Sequence, residues 1–159
     1  MVGSYGLSER VPYPVLGYLA VRLPGLHALV RWLLKRWRPL VALGLRNIIH
    51  DASKITPDLV SEMQQAIRRA GSAPGWQAFL RQEIWLLRPR TCYLDRLGEI
   101  GCPVLLVHGE KDRLISVDAS RNAAPRFPQA KLVLFPNCGH WPPREYPKKF
   151  NRLLLDFLA

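Results

Sequence analysis

Acidic residues are scarce in this chain: 12 Asp and Glu stand against 23 Lys and Arg in 159 residues, a formal net charge of +11. A surplus of that size suits an acidic ligand, an anionic membrane surface or nucleic acid. The charges are dispersed and no basic tail or nucleic-acid motif accompanies them, so no nucleic-acid partner is expected. The plain reading is a soluble domain with an Arg-rich solvated surface. Cysteine is sparse too. Cys92, Cys102 and Cys138 are odd in number and form no C-x-x-C pair. That argues against a disulfide framework and against a zinc site, and it fits a reducing, cytoplasmic setting. No run of about 18 uninterrupted apolar residues occurs, so no membrane-spanning helix is expected. Residues 1–10 contain no basic stretch leading into an apolar one, so no export signal is expected either. Internal repeats and low-complexity segments are missing as well. What is present is 48% apolar residues in a chain of one-domain length, enough to build a core.

The order of patterns divides the chain in three. Residues 1–9 (MVGSYGLS and Glu9) are too short to form a strand with a partner of their own, and they read as the end of a core strand and its loop. Residues 10–92 read as helical, basic and rich in Trp and Arg. Within them, the two prolines of residues 11–14 (VPYP) predict a turn or extended segment. Leu16, Leu19, Ala20 and Leu23 recur at helical spacing until Pro24 and Gly25. Leu26, Leu29, Val30, Leu33 and Leu34 repeat the pattern, with Arg31, Lys35, Arg36 and Arg38 interspersed, until Pro39 breaks it. Residues 41–49 make a third short piece. Thr56 before Pro57 predicts a helix start, capped by the threonine, with its end at Gly71. One more helix is expected over 75–87, ending near Pro89.

Residues 93–159 change character. Pro103 to Val107 (PVLLV) is a continuous apolar run between glycines, the pattern of a strand buried on both faces in a parallel sheet. Residues 117–124 read as a helix, 131–135 (KLVLF) as a second buried strand, and 146–159 as an amphipathic helix. Strand, helix, strand, helix is the order of right-handed crossover units. In such sheets working residues gather beyond the carboxyl ends of the strands. Two loops qualify: His108-Gly109-Glu110-Lys111-Asp112 and Asn137-Cys138-Gly139-His140. Side by side, a carboxylate from one can orient an imidazole from the other, which then serves as general base. Taken singly, an Asp after a strand is more often a turn or helix-cap residue, and a His beside Gly139 more often a loop residue. Cys138, two before His140, admits a redox role, but a small packed side chain at a strand end explains it as well.

The run from Gly101 to Asp112 resembles the strand and acid loop of α/β-hydrolases, where a Pro-led apolar strand enters a G-x-x-D. Gly139-His140 followed by Glu145-Tyr146-Pro147 and Phe150 resembles that family's histidine loop, and Phe127 to Leu132 its lead into the last strand. The acid precedes the histidine, as the family's order of nucleophile, acid, histidine requires. The resemblance implies an incomplete α/β-hydrolase fold: a helical cap or lid over 10–92, then the last two parallel strands and their helices over 93–159. It implies Asp112 as the catalytic acid and His140 as the base. Asp118 and Glu110 are rival carboxylates, read as an early helix residue and a solvated turn residue.

The family's nucleophile elbow, G-x-S-x-G, occurs nowhere in the 159 residues. Gly3-Ser4-Tyr5-Gly6 lacks the glycine two before the serine and precedes the cap. The chain is therefore expected to be the carboxy-terminal part of a hydrolase with Ser-Asp-His chemistry, inactive alone. A small, ester-like, apolar substrate is implied for the complete protein, as is the absence of cofactor or metal; lipase, C–C bond hydrolase, epoxide hydrolase and dehalogenase chemistries stay open within the fold, because the nucleophile that would separate them is not in these residues. An unpaired sheet edge is expected to favour aggregation or pairing with a chain that supplies the other half. The alternative is a non-catalytic basic amphipathic module, with Trp32, Trp37, Arg31, Lys35, Arg36 and Arg38 meeting a membrane surface or a partner chain. An ordinary cap helix with outward Arg and Lys is favoured over it.

Overall fold

A computed structural model describes residues 1–9, 14–23, 25–70, 74–85 and 88–159. The expected features at 11–13, Pro24, Gly71 and Leu87 lie outside these. The chain divides into two units. The first comprises Met1–Ser8, Arg46–Lys54 and Cys92–Ala159, and the second Glu9–Leu45 and Ile55–Thr91. Arg46–Lys54, inside the 10–92 segment of the sequence reading, thus groups with the first unit.

The first unit is built on two parallel strands, β1 (Val104–Gly109) and β2 (Ala130–Phe135), in register from Val104 opposite Ala130 to Gly109 opposite Phe135. All six β1 residues are buried, as its unbroken apolar run requires. Residues 1–3 run along the other edge of β1: Val107 N–H donates to Met1 O at 2.9 Å and Gly3 N–H to Val107 O at 3.1 Å. β2 is less enclosed than expected, with Lys131 exposed and only Phe135 fully buried. Its residues still point to two faces.

The period of two along β1 sorts its side chains. Val104 and Leu106 pack with Ala119, Ala123 and Phe127, against helix α6 (Val117–Ala123) and the 3₁₀ turn after it. Leu105 and Val107 pack with Phe135, Cys138, Phe150, Leu153 and Phe157, against helix α8 (Pro147–Leu158). A short helix, α7 (Pro142–Glu145), leads into α8. α6 starts where Ser116 Oγ accepts from Asp118 N–H at 3.3 Å, a side-chain cap. The same alternation sends His108 to the α6 side of the strand, which matters below.

The second unit is helical: α1 (Pro14–Arg22), α2 (Leu26–Arg36), α3 (Arg38–Leu45), α4 (Pro57–Arg69) and α5 (Pro74–Glu83). Thr56 caps α4 as expected, its Oγ1 accepting from Leu59 N–H at 3.2 Å. Pro39 does not simply break a helix. Extended backbone at Trp37 separates α2 from α3, and Pro39 sits in the first turn of α3, where no amide partner is needed. Val41 and Leu45 of α3 and Leu59 and Val60 of α4 are buried, and the two helices pack together. The last carbonyls of α2 find partners in α4: Gln64 Nε2 donates to Leu34 O at 3.2 Å and Arg68 Nη2 to Lys35 O at 2.8 Å. Among the described residues, no helix is long and apolar enough to cross a membrane.

Candidate active site

Parallel pairing puts the carboxyl ends of β1 and β2 at one edge, and backbone bonds then tie the two following loops together. Glu110 N–H donates to Phe135 O at 3.0 Å and Lys111 N–H to Cys138 O at 2.9 Å. Gly109 permits this approach: a Cβ there would collide with the carbonyls of Cys138 and Gly139. Asn137 turns the second loop in the left-handed region, with φ 54°, a conformation asparagine tolerates.

The loops deliver Asp112 and His140 to each other. Asp112 Oδ2 lies 2.8 Å from His140 Nδ1. The Asp112 side chain is fully buried while that of His140 is 29% exposed, so the imidazole alone of the two reaches solvent. Asp112 Oδ1 accepts from Leu114 N–H at 2.8 Å and Ile115 N–H at 3.0 Å. A second histidine, His108, places Nε2 3.1 Å from Asp112 Oδ2. Burial by itself would raise the pKa of Asp112. The donors His108, His140, Ile115 N–H and Leu114 N–H outweigh it and hold the carboxyl well below the usual carboxylate range. An ionised carboxylate can only accept, so His140 Nδ1 carries the proton, and in the neutral ring Nε2 is left with its lone pair.

The rival carboxylates lie on the surface. Asp118 is in the first turn of α6, paired with Arg121 at 3.2 Å, and Glu110 approaches Arg121 at 3.8 Å. Cys138 is fully buried, its thiol pushed up to about 12 by burial and by the neighbouring Glu145 carboxylate. It packs rather than reacts, and among the described residues no group of His, Cys, Asp or Glu is arranged to hold a metal.

Two further groups shape the histidine loop. Glu145, 3% exposed, accepts from Gly139 N–H at 2.6 Å through Oε1, and from His50 and Asp51 N–H at 3.0 and 3.2 Å through Oε2. His140 N–H donates to Ile48 O at 2.7 Å. The Arg46–Lys54 segment therefore braces the loop, and Lys54 completes the brace by donating to Glu145 O at 2.6 Å. Glu145 was visible only as part of a motif, and its role as a carboxylate clamp had no separate sequence signal. His108 stands four before Asp112, a spacing that offered a hint. Ser120 on α6, whose Oγ lies 2.7 Å from His108 Nδ1, offered none.

Residues 17–145 match the family model described as alpha/beta hydrolase fold. The chain belongs to the α/β-hydrolase fold family. A 2-hydroxy-6-oxononadienedioate/2-hydroxy-6-oxononatrienedioate hydrolase of Paraburkholderia xenovorans is 41% identical over 162 residues, covering 99% of this chain and 51% of that protein. A hydrolase of the same name from Cupriavidus pinatubonensis is 32% identical over 112 residues, covering 70% of this chain and 38% of its own length. Among solved structures, a meta-cleavage product hydrolase from Pseudomonas fluorescens superposes with a TM-score of 0.73 at 19% identity, covering 99% of this chain and 53% of that one. The chain spans about half the length of the curated relatives it matches, or less.

Proposed function

We propose that this chain carries the acid and the general base of a hydrolase acting on 2-hydroxy-6-oxo-dienoate compounds. The observation that carries the reading is the 2.8 Å contact of Asp112 Oδ2 with His140 Nδ1 at the carboxyl edge of two parallel strands. Asp112 holds the imidazole in the Nδ1–H tautomer and stabilises the imidazolium. His140 Nε2 takes the proton from a hydroxyl nucleophile as that oxygen attacks the 6-oxo carbon, and later returns it. The names of the relatives support the substrate class, within the range of chemistries the fold left open, and a dicarboxylate such as a dienedioate suits a chain of net charge +11. The nucleophile is a serine outside these 159 residues, which contain no G-x-S-x-G. The second unit is the helical cap, inserted in two pieces by chain order between core segments.

The test is turnover of 2-hydroxy-6-oxononadienedioate, followed by loss of its absorbance. The chain is assayed alone and co-expressed with the part of the Paraburkholderia relative that it does not match. The expected result is no turnover alone and turnover in the mixture, lost in Asp112→Asn and His140→Ala. Turnover by the chain alone that survives His140→Ala would sink the proposal.

A second reading has its own support. Leu29, Trp32 and Trp37 are exposed beside Arg36 and Arg38 in the second unit, a composition suited to anionic lipid. Co-sedimentation with phosphatidylserine vesicles, and not with phosphatidylcholine ones, would favour it.

A further inference from the structure

His108 is a fully buried histidine that the acid–base pair does not explain. Its ring is held at three points. Nδ1 lies 2.7 Å from Ser120 Oγ, and Nε2 lies 3.1 Å from both Ile115 O and Asp112 Oδ2. A carbonyl and a carboxylate can only accept, so Nε2 carries a proton, which Ile115 O accepts with Asp112 Oδ2 equally close beside it. In the neutral ring Nδ1 then accepts from the Ser120 hydroxyl. Both residues arrive by simple geometry: the alternation along β1 turns His108 to the α6 side, and Ser120 lies on the buried face of α6 with Ala119 and Ala123.

Asp112 gains a complete set of donors from this. A carboxylate has about four lone-pair sites. Leu114 and Ile115 N–H fill two on Oδ1, and His140 Nδ1 and His108 Nε2 fill two on Oδ2. The two amides belong to the acid's own loop. His108 is the donor that ties the carboxylate to the neighbouring helix, and it shares the very oxygen that His140 uses.

We propose that His108, anchored by Ser120 Oγ, is a positioning residue that fixes the rotation of Asp112 and shares Oδ2 with His140. The inference rests on the reading of Asp112 and His140 as an acid–base pair. It makes two demands on the pair. The carboxylate plane cannot turn away from His140 while His108 holds Oδ2. The oxygen facing His140 is also a weaker acceptor than it would be alone, because each donor to a carboxylate draws down the charge available to the others. A merely space-filling histidine would make only the first demand.

The two demands separate in the proton resonance of His140 Nδ1–H, observed by NMR in the full chain and assigned by its loss in His140→Ala. Removing the competing donor in His108→Phe should move that resonance downfield, because the remaining bond to Oδ2 strengthens. His108→Gln, whose side-chain amide can donate from nearly the same place, should return it close to the wild-type position. Ser120→Ala, a mild change, should move it in the direction of His108→Phe by a smaller amount, and it decides the question if the phenylalanine variant fails to fold. An unmoved resonance in His108→Phe and Ser120→Ala, or an equal upfield shift in the phenylalanine and glutamine variants, would overturn the inference and leave the pair intact. A wild-type chain with no such resonance would overturn the pair itself, and this inference with it.

Discussion

The backbone of Gly3 lies against the imidazole of His140. A Cβ at Gly3 would sit 3.0 Å from both Cε1 and Nδ1 of that ring, and Nδ1 is the atom bonded to Asp112. Gly3 also has φ +48°, in the left-handed region where glycine is favoured. Residues 1–3, paired along β1, therefore form one wall of the histidine's position.

Gly3→Ala should accordingly do two things at once. Backbone strain and the close contact together should cost about 1–3 kcal/mol, visible as a lower urea midpoint. The displaced ring should weaken its bond to Asp112, visible as loss or broadening of the His140 Nδ1–H resonance. A variant with unchanged stability and an unchanged resonance would show that the wall is not there.

Glu145 makes a different prediction, because its two oxygens receive three backbone N–H groups. Glu145→Gln replaces one acceptor oxygen by an NH₂ group facing other donors, so at least one buried amide loses its partner. The expected cost is about 2–4 kcal/mol of unfolding free energy, the range for a charged hydrogen bond plus an unsatisfied buried donor. Denaturant melts measure it directly. A loss below about 0.5 kcal/mol would mean that the brace between Arg46–Lys54 and the histidine loop carries little.

Thiol chemistry should sort the cysteines. Cys92 and Cys102 are exposed, and Cys138 is buried with its thiol pushed up to about 12. Iodoacetamide at neutral pH should modify the first two in the folded chain and reach Cys138 only after denaturation, as peptide mass mapping would show. Fast labelling of Cys138 in the folded chain would contradict the packing described for the strand end.

Asp112 gives a pH dependence with a definite sign. Its folded pKa lies well below the ordinary value of about 3.9, so the unfolded chain binds this proton first as pH falls. The stability it contributes is fully present above the unfolded value and is lost as pH drops from there towards the folded one. The difference in stability between wild type and Asp112→Asn should therefore be constant from pH 7 to about 5 and shrink below about 4. Urea melts of both proteins across that range test it, and a difference independent of pH down to 3 would rule it out.

Much of this was legible locally. The unbroken apolar run at β1 needs both of its faces covered, and the structure covers them with α6 and α8. Thr56 before Pro57 announces a helix start because a cap depends on neighbours three residues away. Asp112 and His140 stand out because each follows an apolar strand, and two parallel neighbours put their carboxyl ends together. Local signals misled where a residue has two local uses. Pro39 reads as a helix stop, yet it occupies the first turn of α3, since proline serves either end.

The amino-acid pattern by itself determined the alternation of strand and helix after residue 93, the parallel pairing it demands, and the two loops where an acid and a base can meet. These follow from hydrophobic period and caps, which act over a few residues. Only the tertiary structure decided that His108 shares an oxygen of Asp112, that Ser120 holds His108, that Glu145 binds the amides of His50 and Asp51, and that Gly3 touches His140. The bond from Glu145 to Asp51 joins residues 94 apart in the chain, and a hydrogen bond ignores that separation. It depends on position to a fraction of an ångström, and that position exists only once the core has packed.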